Sequence, residues 1–335
     1  MKNSKTTNTQ KRFAGSRGVA AALLALGALC ASQAQAQVPG RFYWKTLSDS
    51  SAVPLIFESI SGNTNPFDPS RLISPGAQFD ATMALGGYAK TFSVMDRAAM
   101  AAVILPMGRL EGVATTHTGA SVNQSASGFG DPMLEFNMNL IGPKAQMNIP
   151  DALRYEPGFS LDLLADLALP IGEYNSDQAL NLGQNRWYGR IGAPMIMQFG
   201  SWVPGRRTTL ELLPAVWMFG DNDDYVGQTM KTDALFQLDA HLTRDFTDTL
   251  WGALDASWYK GGKATINGVE GADRNDTAFG LTLGYKINDN INLTAGYKST
   301  VNDSGAGAMQ MDSFMVTLVF GWHPLIEGSR RLKSE

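Results

Sequence analysis

The feature that most limits this chain is a strict alternation of apolar and polar side chains, sustained over unusually long segments. From Phe159 to Leu169 every second position is apolar (Phe159, Leu161, Leu163, Ala165, Leu167, Leu169), with Ser160, Asp162 and Asp166 among the residues between. The same beat returns at Leu134, Phe136, Met138 and Leu140, and again at Phe236, Leu238, Ala240 and Leu242. Phe279 to Tyr285, Ile291 to Tyr297 and Phe314 to Trp322 repeat it near the C-terminus. Successive side chains of a strand point to opposite faces, so the pattern predicts strands with one apolar and one polar face. A soluble sandwich alternates too, but its strands commonly run about 5–6 residues. These segments are near the roughly 10 residues that a tilted strand needs to cross a bilayer.

The spacing of the segments points the same way. Strands are expected near 50–60, 77–94, 97–110, 129–141, 157–170, 186–200, 206–220, 231–245, 249–260, 276–287, 291–300 and 311–322. Tight links such as Met95-Asp96 and Asn288-Asp289-Asn290 alternate with long links rich in Gly, Asn, Asp and Ser. Short turns on the periplasmic side and long loops outside are the habit of bacterial outer-membrane barrels. The expected fold is therefore all-β, a transmembrane antiparallel β-barrel of about 12 strands with both termini periplasmic. Ten or fourteen strands stay open, because Pro54 weakens the first segment. Aromatics such as Trp187, Trp202, Trp217, Trp251 and Trp258 fall near segment ends, where interfacial girdles would sit.

Residues 1–36 read as an address. Lys2, Lys5, Lys11, Arg12 and Arg17 precede a short apolar run, and Ala34-Gln35-Ala36 supplies a cleavage pattern. The expected division is a signal peptide over 1–36, a periplasmic segment over 37–49, the barrel over 50–322 and a periplasmic tail over 323–335. The segment 37–49 looks too short for a plug domain. The single cysteine, Cys30, lies in the leader behind Leu29, a poor context for lipidation, and leaves no thiol for a disulfide or metal site. Lys and Arg number 27 against 31 Asp and Glu; the leader holds five bases and no acid, so the remainder carries 22 against 31, a net charge of −9. That balance argues against nucleic acid as a partner.

Several short motifs recur in a fixed order. They include Leu105-Pro106-Met107-Gly108-Arg109, Gly128-Phe129-Gly130-Asp131-Pro132 and Asn139-Leu140-Ile141-Gly142. Leu169-Pro170-Ile171-Gly172-Glu173-Tyr174, Leu180-Asn181-Leu182-Gly183, Asn185-Arg186-Trp187 and Gly220-Asp221-Asn222-Asp223-Asp224-Tyr225 follow, and Tyr259-Lys260-Gly261-Gly262 with Ile266-Asn267-Gly268 ends the series. In order and spacing this run, within 48–322, resembles the meta-pathway of phenol degradation family of outer-membrane barrels. The resemblance implies a porin-like transporter for small aromatic or hydrophobic compounds. Phe320 and Trp322 are followed by a basic tail, a departure from barrels that end on an aromatic residue.

Parity along the strands offers candidate lumen-lining residues: Lys90, Glu135, Asp162, Asp166, Arg190, Glu211, Asp239, His241, Asp255, Lys286 and Lys298. Such groups either select permeants by charge and size or neutralise one another in a filled lumen. Asp221, Asp223 and Asp224 invite a calcium reading, but no terminal bidentate Glu completes the loop, and a solvated turn fits better. Catalysis is the competing class. His241, Asp239 and, across the strands, Ser257 could form a hydrolytic set, yet neighbours along one strand face stand about 7 Å apart. No nucleophile elbow, metal-ligand spacing or nucleotide fingerprint is present. The expectation is thus no catalytic, metal or cofactor site and no cofactor. The implied partners are outer-membrane lipid, the barrel-insertion machinery and a small-molecule permeant. An outer-membrane hydrolase and a structural or adhesive barrel are the alternatives.

Overall fold

A computed structural model describes residues 38–73, 76–115, 121–302 and 308–328. The leader expected over 1–36, and the end of the tail, lie outside the described residues. No described helix is long and apolar enough to cross a membrane.

Fourteen strand segments form one closed antiparallel sheet of twelve staves. In chain order they are β1 (Ser51–Gly62), β2 (Gln78–Val94), β3 (Arg97–Thr115), β4 (Ser121–Phe129), β5 (Met133–Ile141), β6 (Phe159–Ala168), β7 (Tyr188–Gly192), β8 (Met195–Gln198) and β9 (Thr208–Phe219). After two short strands, β10 (Asn222–Tyr225) and β11 (Gln228–Thr232), come β12 (Leu235–Asp245) and β13 (Leu250–Gly261). Two more, β14 (Ala264–Ile266) and β15 (Val269–Glu270), precede β16 (Arg274–Lys286), β17 (Ile291–Thr300) and β18 (Met311–Trp322). β4 with β5, and β7 with β8, each make one interrupted stave. β18 closes on β1 in unbroken register from Ser51↔Trp322 to Gly62↔Met311. Closure leaves neither the first nor the last strand with a free edge, so the backbone groups along that seam meet partners without water.

The expected alternation of links is observed. At the short-turn end Met95 and Asp96 take φ of 51° and 63°, the left-handed pair that joins twisted strands in two residues. One short-side link is larger and holds α1 (Ile149–Arg154), capped by the Asn148 side chain, which accepts from Asp151 N–H at 2.9 Å. The links expected as plain loops at 221–230 and 261–275 contain β10, β11, β14 and β15, a four-stranded sheet at the long-loop end. Outward-facing residues form the lipid surface: Phe57, Leu163, Leu254 and Leu281 are exposed in the isolated chain, as an apolar belt requires.

Candidate functional site

The lumen has two chemically different halves. Toward the long-loop end, inward positions are mainly apolar: Ile60, Met83, Leu110, Tyr188, Trp217, Leu235, Tyr259 and Met311 belong to one buried cluster, with Glu58, Arg274 and Asp276 among the buried charged side chains beside it. The segments 63–73 and 169–187 turn into the mouth and add Phe67, Ile73, Leu180 and Leu182 to it. A buried ion pair ties the two loops together, Arg186 Nη2 to Asp68 Oδ1 at 3.1 Å. Asn65 donates to the Asn181 carbonyl at 2.8 Å, and Gln184 donates to that of Phe67 at 3.3 Å. Between these loops and the β3–β4 hairpin lies a cavity of about 150 Å³. Its apolar lining includes Leu72, Phe79, Val122, Leu180 and Tyr225, with Asp68 and Gln124 among its polar groups. Gly112 belongs to the wall because a Cβ there would overlap both Phe79 and Leu180.

Beside this cavity the barrel wall is interrupted. β4 pairs with the outer half of β3 and β5 with the inner half, and Gly130-Asp131-Pro132 separates them. The inward face shifts from even positions in β4 to odd ones in β5, so the break inserts a residue into the alternation. Among the described residues no strand pairs with the far edge of β4; the loop 169–187 docks there instead, with Glu173 N–H donating to the Phe129 carbonyl at 2.7 Å. Asp131 clasps that loop twice, accepting from Gly172 N–H at 2.9 Å and Gln184 N–H at 2.8 Å. Two staves away, Ala193-Pro194 interrupts β7 and β8.

Toward the short-turn end the lumen is polar and filled. Residues 38–45, upstream of β1, lie inside the barrel and belong to no strand. Arg41 reaches Asp245 at 2.6 Å, and its backbone N–H donates to Glu211 at 2.7 Å. Trp44 Nε1 donates to the other Glu211 oxygen at 2.7 Å, and Lys45 pairs with Asp162. Val38 and Tyr43 pack on Leu164, Leu213 and Ala215. A Cβ added at Gly40 would stand at contact distance from Thr243 and His241 of β12 and Ala253 of β13. The segment is short for a plug domain, yet its aromatic bulk and its bonds to wall charges place eight residues inside the barrel. At its root Ser48 is pinned by Gln146 and by His323 of the tail, whose Nε2 meets the Ser48 carbonyl at 2.8 Å.

Nine of the eleven parity candidates face inward and are buried: Glu135, Asp162, Asp166, Arg190, Glu211, Asp239, His241, Asp255 and Lys298. Lys90 does not join them. Phe79, Ala81 and Met83 are the inward residues of β2, which puts Lys90 on the outer face at the rim, bonded to the Asp49 carbonyl. Lys286 lies at the short-turn rim, exposed and paired with Asp289 at 2.8 Å. Trp217 and Trp251, read from the sequence as girdle residues, have inward partners: Trp217 donates to Gln237, and Trp251 covers the Arg41 guanidinium.

The geometry does not assemble a hydrolytic triad. His241 Nδ1 bonds Asp255 at 2.6 Å, whereas Ser257 donates to Asp239 and accepts from Lys298 at 2.8 Å. Serine and imidazole are thus spoken for by different partners. Among the described residues no group of three His, Cys, Asp or Glu is placed to hold a metal ion, and Asp221 in the acidic turn pairs with Lys231.

Among solved structures the fold is similar to the COG4313 outer membrane channel from Pseudomonas putida F1 (TM-score 0.67, 17% identity, covering 86% of this chain and 100% of that one). Fainter likenesses are the β domain of the Bordetella autotransporter BrkA (TM-score 0.47, 10% identity, 82% and 100% covered) and the translocator domain of the autotransporter NalP from Neisseria meningitidis (0.46, 11%, 93% and 99%). No curated protein sequence matches the chain. A family model does, over residues 59–318, from within β1 to within β18. The chain therefore belongs to the family described as "Putative MetA-pathway of phenol degradation", and is an outer-membrane β-barrel.

Proposed function

We propose that the protein is a passive transporter that takes small apolar compounds, single-ring aromatics among them, from the environment into the outer membrane. The observation that carries this reading is an apolar cavity standing directly above a plugged, charged lumen. A cavity of about 150 Å³ lined by apolar side chains is known to hold a benzene ring. Such a guest gains by leaving water, at about 25 cal/mol per Å² of apolar surface buried, and loses that gain on entering the charged half. The favourable exit is therefore sideways, at the wall break where the loop 169–187 replaces a strand against β4. In this reading the long loops face outward and both termini lie in the periplasm.

The test is equilibrium binding of toluene and of glucose to the detergent-solubilised barrel, followed by tryptophan fluorescence, with Val122→Trp as the cavity-filling variant. Saturable toluene binding that V122W weakens, with no response to glucose, supports the reading. Free glucose flux through proteoliposomes together with no saturable toluene binding would refute it.

A further inference from the structure

We propose that the upper cavity selects neutral single-ring aromatics bearing a carbonyl oxygen, aryl aldehydes and ketones, and that Gln124 and Tyr225 do the selecting. This rests on the reading of the cavity as a site for apolar guests and names the class within it.

Most polar atoms around the cavity are spent on one another. Asn65 donates to the Asn181 carbonyl at 2.8 Å and accepts from Phe67 N–H at 2.9 Å. Asp68 accepts from Arg186 at 3.1 Å and from both the N–H and the hydroxyl of Ser70, at 3.0 and 2.7 Å. Gln184 spends its Nε2 on the carbonyls of Phe67 and Leu182, both at 3.3 Å.

Two donors are left over. Gln124 is on the inward face of β4, and its Oε1 accepts from the N–H groups of Ala179 and Leu180, each at 3.2 Å. Those two bonds fix which end of the amide is oxygen. Its Nε2 therefore keeps two hydrogens for which no described residue is an acceptor. Tyr225, on β10, lines the same cavity, and its hydroxyl has no partner among the described residues. Burial, reinforced by nearby Asp68, pushes that phenol up to about 12, so it holds its proton and donates. Against these three hydrogens, Gln184 Oε1 is the uncommitted acceptor among the amide side chains of the lining.

A wall richer in free donors than in free acceptors favours a guest with an accepting oxygen. A hydrocarbon leaves the amide and the phenol unpaired, whereas a carbonyl has two lone pairs to offer them. Anions are turned away. No Lys, Arg or His lines the cavity, and its one ionised side chain, Asp68, is already paired with Arg186. A benzoate would shed its water there with no cation to replace it.

The test measures binding of benzaldehyde and of styrene, its hydrocarbon isostere, to the purified full-length barrel in detergent, with toluene as the control for the cavity itself. The quantity read is the styrene-to-benzaldehyde ratio of Kd, compared between variants, because benzaldehyde gives up more on leaving water. Y225F should lower that ratio by roughly three- to tenfold, the size of one lost neutral hydrogen bond. Q124E should lower it as well; it keeps an oxygen for Ala179 and Leu180 and puts an acceptor where the donor was. Toluene should bind Y225F as it binds the wild type. The infrared carbonyl stretch of bound benzaldehyde should lie below its value in hexane and rise in Y225F. Saturable toluene binding with a ratio that neither variant moves, or a wild-type carbonyl stretch at its hexane value, overturns this inference alone. Absence of saturable toluene binding in the wild type sinks the transport reading, and this inference with it.

Discussion

Replacing Trp44 with alanine should loosen the plug without disturbing the barrel. The indole donates to a carboxylate of Glu211 at 2.7 Å, a bond to a charged group that contributes about 1.5–3 kcal/mol. Its ring packs at a tilt against Trp202 with centroids 4.7 Å apart, adding about 0.5–1.5 kcal/mol. Arg41 and Arg207 lie over the same ring at 4.2 and 5.1 Å, each contact worth about 0.5–1 kcal/mol. Contacts that share partners are not additive, so about 3 kcal/mol is the safe estimate of what the side chain holds down. At 1.4 kcal/mol per factor of ten, W44A should raise the ratio of unseated to seated plug about a hundredfold. Single-channel recording reads this as longer dwell in a high-conductance state. The same state should be permanent when residues 38–45 are deleted. If the deletion enlarges conductance and W44A leaves dwell times at the wild-type value, the anchoring role of Trp44 is refuted. If the deletion changes nothing, the plug does not obstruct the lumen at all.

Three further outcomes follow from particular contacts. Asp68→Asn leaves the buried Arg186 charge unpaired and should cost about 3–5 kcal/mol, read as a lower urea midpoint of the barrel in detergent micelles. Gly112→Ala sets a methyl group into space held by Phe79 and Leu180; it should cost about 1–3 kcal/mol and weaken toluene binding, and Leu180→Ala in the same chain should restore both. Burial pushes the Tyr174 phenol above the ordinary tyrosine range, with the bond donated by Asn222 opposing the shift. The raised value means that the folded loop favours the protonated form. Its contribution is complete below the ordinary tyrosine pKa and is lost as pH climbs through the raised one. An absorbance titration should show one fewer late-ionising phenol in Y174F than in the wild type.

Much of the barrel was legible because alternation is a direct image of which face meets lipid. The twelve staves fall close to the expected segments, including β1, where Pro54 sits in a strand whose neighbours still pair. The lumen was harder to read. Parity assigned by charge assumes that polar residues face inward, and β2 inverts that rule by sending Phe79, Ala81 and Met83 into the apolar half. Lys90 was misplaced for this reason. The extra strands of the long-loop sheet run only two to five residues, too few for a periodic signal. The plug carries no periodicity at all. Its trace was compositional: Arg41-Phe42-Tyr43-Trp44-Lys45, basic and aromatic, in a chain whose inward positions are mainly acidic. Only the fold could bring that segment against Asp162, Glu211 and Asp245, from 117 to 204 positions away.

The vessel and its stopper are fastened by different means. The wall is stitched by main-chain ladders that close the ring, with breaks at Gly130-Asp131-Pro132 and Ala193-Pro194, whereas residues 38–45 are held largely by side-chain contacts. Warming or high salt should therefore pull the cork long before the cask falls apart. A bacterium could change how leaky this protein is by altering its surroundings, with no need to unmake it.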